Sequence, residues 1–259
     1  MPATTSADGT TIAYDLAGSG SPIVFVSGAF NDRHTLAPVA AELASSHTVV
    51  CYDRRGRGDS SDTPPYTVDR EVEDLAAVLE VVGGSAAVFG FSSGANLGLL
   101  AASRGVAVTA LVLYEAPFAL SPEDRRPADL PERLAVLIAA GDRAGAVTTF
   151  QLEGIGLPPE MVAGIRRSPF FPQLEAIAPT VVYDATLTAP PYDRPTPEMR
   201  AVGVPILVLT GKETWPVLRR TAEALPSLLA DARYETVPGG ENHTISPEAT
   251  AAVVREFLA

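Results

Sequence analysis

The sequence has few of the residues that build disulfides, metal clusters or nucleic-acid surfaces. Its 259 residues include one cysteine, Cys51, and three histidines. A single cysteine excludes an internal disulfide and a cysteine metal cluster. Lysine and arginine number 19 against 31 acidic residues, which gives a formal net charge of −12. Such a chain lacks the basic footprint of a nucleic-acid-binding protein and is repelled by anionic membranes, so we expect neither as a partner.

Long hydrophobic runs are also missing, because no apolar run approaches the ~18 residues of a membrane-spanning helix. Met1–Asp8 has neither the basic region nor the apolar stretch of a signal peptide, so we expect a cytoplasmic protein. What the chain does have is 46% hydrophobic and 19% charged residues, a composition typical of a folded domain. Its length fits a single α/β domain with an insertion.

Apolar runs alternate with segments of helical spacing along most of the chain. Thr10–Asp15 alternates like an edge strand, and buried strands are predicted at Ile23–Val26, Thr48–Tyr52, Ser85–Phe89, Ala110–Tyr114, Val204–Thr210 and Ala232–Val237. This alternation predicts a mostly parallel sheet with helices on both faces and a ligand site at the carboxyl ends of its strands. Residues 118–199 are proline-rich and lack strand runs. We therefore predict a core of residues 1–117 and 200–259, with 118–199 forming a helical cap.

The segment Gly90–Gly94 carries the pattern G-x-S-x-G between an apolar run and a stretch of small apolar residues. A strand, a sharp turn and a helix are the context in which this pattern forms a nucleophile elbow. Ser92 is then the candidate nucleophile. The backbone N–H of the next residue, Ser93, would point to where an oxyanion forms.

A serine hydroxyl needs a base within hydrogen-bond reach, and histidine titrates in the right range. His34 and His47 precede the elbow, whereas His243 follows the last predicted strand in a glycine-rich loop. His243 is therefore the predicted base. The sequence contains no metal-ligand cluster and no phosphate-binding loop, so we expect no cofactor and no metal.

Together these features resemble the α/β-hydrolase superfamily, and the resemblance covers nearly the whole chain. Ser27-Gly28-Ala29-Phe30 resembles the family's oxyanion loop, with Ser27 where histidine is usual, and this implies that the N–H of Ala29 joins that of Ser93. Asp53–Ser60 resembles the family's D-x-R-G-x-G-x-S loop, whose implied role is structural. The order of a nucleophile, an acid and a late histidine also matches the family.

The acid departs from the family pattern. Most members place an aspartate three residues past the glycine that ends the strand matching Val204–Thr210, and here that position is Thr214. Two carboxylates are the alternatives: Glu115, at the end of the strand after the elbow helix, and Glu213. We favour Glu115, because its apolar neighbours would strengthen its attraction for His243. Other carboxylates are less well placed: Asp142, Asp184 and Glu241.

A narrower resemblance, to the fungal zearalenone lactone hydrolases, rests on Ser92-Ser93-Gly94-Ala95 and Glu115-Ala116-Pro117. It implies cleavage of a lactone or ester in an apolar pocket under a cap. The leading hypothesis is a serine hydrolase that cleaves an ester or lactone of a small apolar molecule through an acyl-enzyme on Ser92. The alternatives are a carbon–carbon bond hydrolase or perhydrolase with the same residues, or a ligand-binding protein that keeps the fold.

Overall fold

One sheet of eight strands forms the centre of the computed structural model, which describes residues 1–259. In chain order the strands are β1 (Ala3–Thr5), β2 (Thr11–Gly18), β3 (Ser21–Val26), β4 (His47–Tyr52), β5 (Ala86–Phe91), β6 (Val108–Tyr114), β7 (Ile206–Gly211) and β8 (Ala232–Val237). Their order across the sheet is β1-β2-β4-β3-β5-β6-β7-β8. The β1–β2 and β2–β4 pairs are antiparallel, and the remaining five pairs are parallel.

The central strands are continuous apolar runs because helices cover both faces of the sheet. All six residues of β5 are buried, as are all six of β7. The helices are α1 (Ala37–Leu43), α2 (Val68–Glu80), α3 (Ser93–Ser103), α4 (Leu130–Ala139), α5 (Arg143–Thr149), α6 (Pro159–Arg166), α7 (Phe171–Ile177), α8 (Val181–Leu187), α9 (Pro197–Arg200), α10 (Pro216–Ala224) and α11 (Pro247–Phe257). The predicted α/β class with a mostly parallel sheet is confirmed. None of these helices combines the length and the apolar character that crossing a membrane requires.

The amino-terminal edge of the sheet differs from the sequence prediction. The segment expected to be an edge strand is part of β2, and β1 pairs with it through Ala3–Ala13, Thr4–Ile12 and Thr5–Thr11. The prediction that Thr10–Asp15 lies at the edge is therefore wrong. Three-residue β1 is too short to show a period-2 pattern, so the sequence gives no signal for it.

Helices α4 to α8 lie between β6 and β7, within the segment predicted to be a cap. Helices α4, α5 and α8, together with Phe150, share a small apolar core that also contacts Ala29 and Phe30 (Leu130, Leu134, Ala146, Phe150, Val181 and Ala185). This packing brings the helical segment against the loop after β3. The division of the chain at residues 118 and 199 stays a prediction.

Candidate active site

Ser92 lies in the sharp turn between the end of β5 and the start of α3. Its backbone has φ 55° and ψ −127°, in a region that side chains other than glycine rarely occupy. The Ser92 N–H donates to the carbonyl of Tyr114, 2.9 Å away, which fixes the turn to neighbouring β6. Such strain persists only where the surrounding structure enforces it, and it is frequent at functional sites.

Three glycines allow this turn because other chain segments pass close to it. A Cβ on Gly90 would lie 2.4 Å from the Ala95 Cα, and a Cβ on Gly94 would lie 2.2 Å from the Val26 carbonyl oxygen. A Cβ on Gly28 would lie 2.7 Å from the Ser92 Cβ. The spacing of the G-x-S-x-G pattern therefore has a direct steric cause, and the loop after β3 lies against the serine.

His243 lies in the loop after β8 and faces the carboxylate of Glu115. Its Nδ1 is 2.5 Å from the Glu115 Oε2, although the two residues are 128 positions apart. The imidazole stacks against Phe91 and Trp215, with ring centroids 4.7 and 5.2 Å away. Two aromatic faces and one carboxylate thus fix the orientation of the ring.

The carboxylate of Glu115 is fully buried at the end of β6. Its backbone adopts φ 51°, and its N–H donates to the Leu209 carbonyl at 2.9 Å. Its second oxygen, Oε1, accepts the N–H of Gly211 at 3.0 Å. Because both oxygens have partners, the carboxylate is held in one orientation toward His243.

The other sequence candidate for the acid lies elsewhere. Glu213 is exposed, and its backbone carbonyl accepts from the Asn242 N–H at 3.4 Å. Thr214, at the usual position of the acid, is buried, and its hydroxyl has no hydrogen-bond partner. The structure thus brings Glu115, and not Glu213, to the histidine.

The predicted nucleophile, base and oxyanion residues line one cavity of about 460 Å³. Ser92, Ser93, Ala29 and His243 all contribute to its wall. The N–H of Ser93 lies at the start of α3, where an amide has no carbonyl one turn earlier in the helix to bond. No hydrogen bond joins the Ser92 hydroxyl to the His243 ring in this structure, and such contacts are often long before substrate binds.

A buried group of four charged side chains lies directly beneath the serine turn, and we call it the buried ion network: Arg54, Arg57, Glu71 and Asp184. Arg54 bonds Glu71 through Nε and Nη2 at 2.5 and 2.7 Å. Asp184 receives Arg54 Nη1 at 2.8 Å and Arg57 Nη2 at 2.7 Å. Two positive and two negative charges therefore compensate one another in the interior.

This network also holds the backbone around the candidate oxyanion hole. Arg57 Nη1 donates to the Gly28 carbonyl at 2.5 Å, and the Ser93 hydroxyl donates to Asp184 Oδ1 at 2.7 Å. Burial raises the pKa of Asp184, but Arg57 and Arg54 outweigh it, and the pKa lies below its ordinary value. Asp184 belongs to α8. The helical segment therefore contacts Ser93 directly and the Gly28 carbonyl through Arg57.

Sequence reasoning considered Asp184 only as a less well placed acid, so it missed the buried ion network. It also placed no helix over Val181–Leu187. It interpreted Asp53–Ser60, which contains Arg54 and Arg57, as a structural loop, and the contacts of both arginines agree with that. The partners could not be found from sequence, because Asp184 lies 130 residues from Arg54. Two arginines in a loop directly after a predicted buried strand are the only signal that carboxylates lie nearby.

No group of His, Cys, Asp and Glu side chains in the structure is arranged to hold a metal ion. The cavity wall instead combines apolar side chains with a charged region from the segment after β6. The charged members are Glu123, Asp124, Arg125, Arg126 and Glu153, beside Asp184. The wall therefore offers both apolar and polar surface.

Comparison with known proteins shows similarity along the whole chain. The model of the Alpha/beta hydrolase family matches residues 23–256. The chain is similar to the crystal structure of an alpha/beta hydrolase from Sphaerobacter thermophilus, with 44% identity, a TM-score of 0.91 and complete coverage of both chains. The fold is also shared with an enol-lactonase from Burkholderia xenovorans, at 22% identity and a TM-score of 0.72 over 99% of each chain.

Similarity to curated sequences is shorter. An uncharacterized hydrolase of Bacillus subtilis is 39% identical over 95 residues, which is 35% of this chain and 35% of that protein. The chain spans between a third and a half of the length of the curated relatives it matches.

Proposed function

The chain belongs to the α/β-hydrolase family, and on this basis we propose that it is a serine hydrolase that cleaves a carboxylic ester or lactone. The observation that carries the proposal is the contact of buried Glu115 with His243, which lines the same cavity as Ser92. A histidine held by a buried carboxylate is a strong base for a serine hydroxyl. The lactone part rests on the resemblance of the Ser92 and Glu115 segments to the zearalenone lactone hydrolases.

In the proposed reaction, His243 removes the proton of the Ser92 hydroxyl as its oxygen attacks the ester carbonyl. The N–H groups of Ala29 and Ser93 donate to the oxyanion. Glu115 fixes the tautomer of the neutral imidazole and stabilises the imidazolium that forms from it. His243 then gives the proton to the leaving alcohol, which produces an acyl-enzyme on Ser92. Water, activated by His243, attacks this acyl group and releases the acid.

Two measurements test this proposal. We expect turnover of short p-nitrophenyl esters by the wild type, and labelling of one serine by a fluorophosphonate probe. Both signals should vanish in Ser92→Ala and persist in Ser121→Ala, which removes a serine outside the cavity wall. A correctly folded wild type that is neither labelled nor active would contradict the proposal and favour a binding protein. Cleavage that survives in Ser92→Ala would assign the nucleophile elsewhere.

A further inference from the structure

Arg126 is a cation in the cavity wall without a carboxylate partner. It follows the turn Pro122–Asp124 and lines the same cavity as Ser92. Its Nε donates to the Gly154 carbonyl at 2.6 Å and its Nη1 to the Pro117 carbonyl at 3.0 Å. These carbonyls fix the direction of the guanidinium but do not neutralise it. Nη2 has no hydrogen-bond partner within the protein.

The electrostatic surroundings of partly buried Arg126 differ from those of fully buried Arg54. Burial lowers the pKa of Arg126 below its ordinary value, although Asp193 and Asp124 favour its charged form. For Arg54 burial acts in the same direction, but Glu71 and Asp184 outweigh it and raise the pKa. An arginine stays protonated at neutral pH in either case. Arg126 is therefore a partly buried charge without a bonded carboxylate, whereas Arg54 bonds both Glu71 and Asp184.

Two acidic side chains of the cavity wall are already paired with other arginines. Glu153 forms an ion pair with Arg133, and Asp124 lies 3.4 Å from Arg220. Neither Glu123 nor Asp193 forms an ion pair with Arg126, so its remaining donors are available to a ligand. Because a guanidinium matches the geometry of a carboxylate, an anionic group on the substrate is the partner this position lacks.

An anionic group bound by Arg126 would lie in the same cavity as the candidate catalytic residues. Pro117, whose carbonyl Arg126 binds, is two residues after Glu115 at the carboxyl end of β6. Aromatic side chains form other parts of the wall: Phe91, Phe118, Phe150 and Trp215. A matching substrate has an apolar body against the aromatic side chains, a reactive carbonyl at Ser92 and a carboxylate at Arg126.

We propose that Arg126 binds a carboxylate of the substrate, so that the preferred substrates are esters or lactones that carry a free carboxylate. The inference rests on the proposed function and adds one anionic group to the small apolar molecule expected from the sequence. With a net charge of −12, the protein repels anions in general. A carboxylate is therefore favoured only where a local cation such as Arg126 receives it.

A pair of chromogenic esters tests this inference by turnover. Mono-p-nitrophenyl adipate carries a free carboxylate, and p-nitrophenyl methyl adipate is its neutral counterpart. For wild type we expect a higher kcat/KM on the acid than on the neutral ester. Arg126→Met should lower kcat/KM on the acid by about 10–100-fold, mainly through KM, because a charge-assisted hydrogen-bond pair is lost. Its rate on the neutral ester should change little.

Two further variants separate the role of this side chain from general charge and from folding. Arg126→Lys keeps the charge and should recover part of the preference. Arg166→Met removes an exposed charge outside the cavity wall and should leave the preference unchanged. The acid-to-neutral ratio is taken within one protein sample, so it does not depend on the folded fraction. An unchanged ratio in Arg126→Met, or a wild type that prefers the neutral ester, would overturn the inference.

A binding measurement makes the test independent of catalysis. Ser92→Ala should bind monomethyl adipate at least about 10-fold more tightly than dimethyl adipate by calorimetry. Ser92→Ala/Arg126→Met should bind the two esters equally. Absent turnover with this difference in binding would reject the proposed hydrolysis but keep the carboxylate site. Equal binding to Ser92→Ala would reject the carboxylate site, whatever the catalytic result.

Discussion

Replacing Asp184 by asparagine should unbalance the buried ion network beneath Ser92. The wild-type carboxylate is completely buried and accepts from Arg54, Arg57 and the Ser93 hydroxyl. Asparagine has nearly the same shape, so the change removes a negative charge without opening a cavity. Two buried guanidinium groups are then left with Glu71 as their only carboxylate in the network.

The expected cost follows from that uncompensated charge. Removal of one partner from a buried ion pair typically costs about 3–5 kcal/mol, because the other charge stays desolvated. The free energy of unfolding of a domain is only about 5–15 kcal/mol, so Asp184→Asn should remove a large part of it. At about 2–4 °C per kcal/mol for a chain of this size, the Tm should fall by roughly 6–20 °C.

Urea denaturation of the wild type and Asp184→Asn measures the effect directly. Asp129→Asn is the matched control, because its side chain is 67% exposed and its change in unfolding free energy should stay within about 0.5 kcal/mol. Adding Arg57→Met to Asp184→Asn leaves Arg54 paired with Glu71 and restores the charge balance. The double variant should therefore lose less than the sum of the two single losses, by about 0.5–3 kcal/mol. Additive losses, or an Asp184→Asn loss as small as that of the control, would refute the reasoning.

Two other expectations concern the same carboxylates and the candidate acid. The folded-state pKa values of Asp184 and Glu71 lie below their ordinary 3.8 and 4.5, so their stabilisation is complete above those ordinary values and is lost as pH falls through the lower folded values. Urea midpoints measured from pH 7 to pH 3 should decline less steeply for Asp184→Asn than for wild type, and parallel declines would contradict this. Glu115→Gln should lower kcat by about 10²–10⁴-fold because His243 loses the carboxylate that orients it, whereas Glu213→Gln should retain activity. The opposite ranking in ester assays would assign the acid to Glu213.

The sequence predicted best the features that depend on neighbouring residues. The strand, turn and helix around Ser92 are encoded within Ala86–Ser103, and the small residues there have steric causes that the structure makes explicit. Buried strands were also predictable, because their apolar runs are continuous. The family resemblance was confirmed over residues 23–256 for similar reasons, since its motifs are local.

The features that were missed depend on contacts between distant residues. Helix α8 is only seven residues long, and its inward face includes the charged Asp184, so its apolar periodicity is interrupted. A charged residue in such a segment normally indicates a solvent-facing position. Here Arg54 and Arg57, from the loop after β4, bond the Asp184 carboxylate and allow it to be buried. No pattern in the sequence near Asp184 indicates these partners. The carbonyl contacts of Arg126 are equally non-local, because one partner is 28 residues away.

The location of the candidate acid follows from the neighbouring positions of β6 and β7. The two strands are parallel neighbours, so their carboxyl ends lie side by side. The Glu115 N–H donates to the Leu209 carbonyl of the adjacent strand. The side chain of Glu115, directly after β6, therefore extends toward the end of β7. There one carboxylate oxygen accepts the Gly211 N–H and the other contacts His243. A second carboxylate at position 214 would bring two negative charges toward the same histidine and raise the pKa of at least one of them. An uncharged residue at position 214 is therefore what we expect when the acid lies at the end of the adjacent strand.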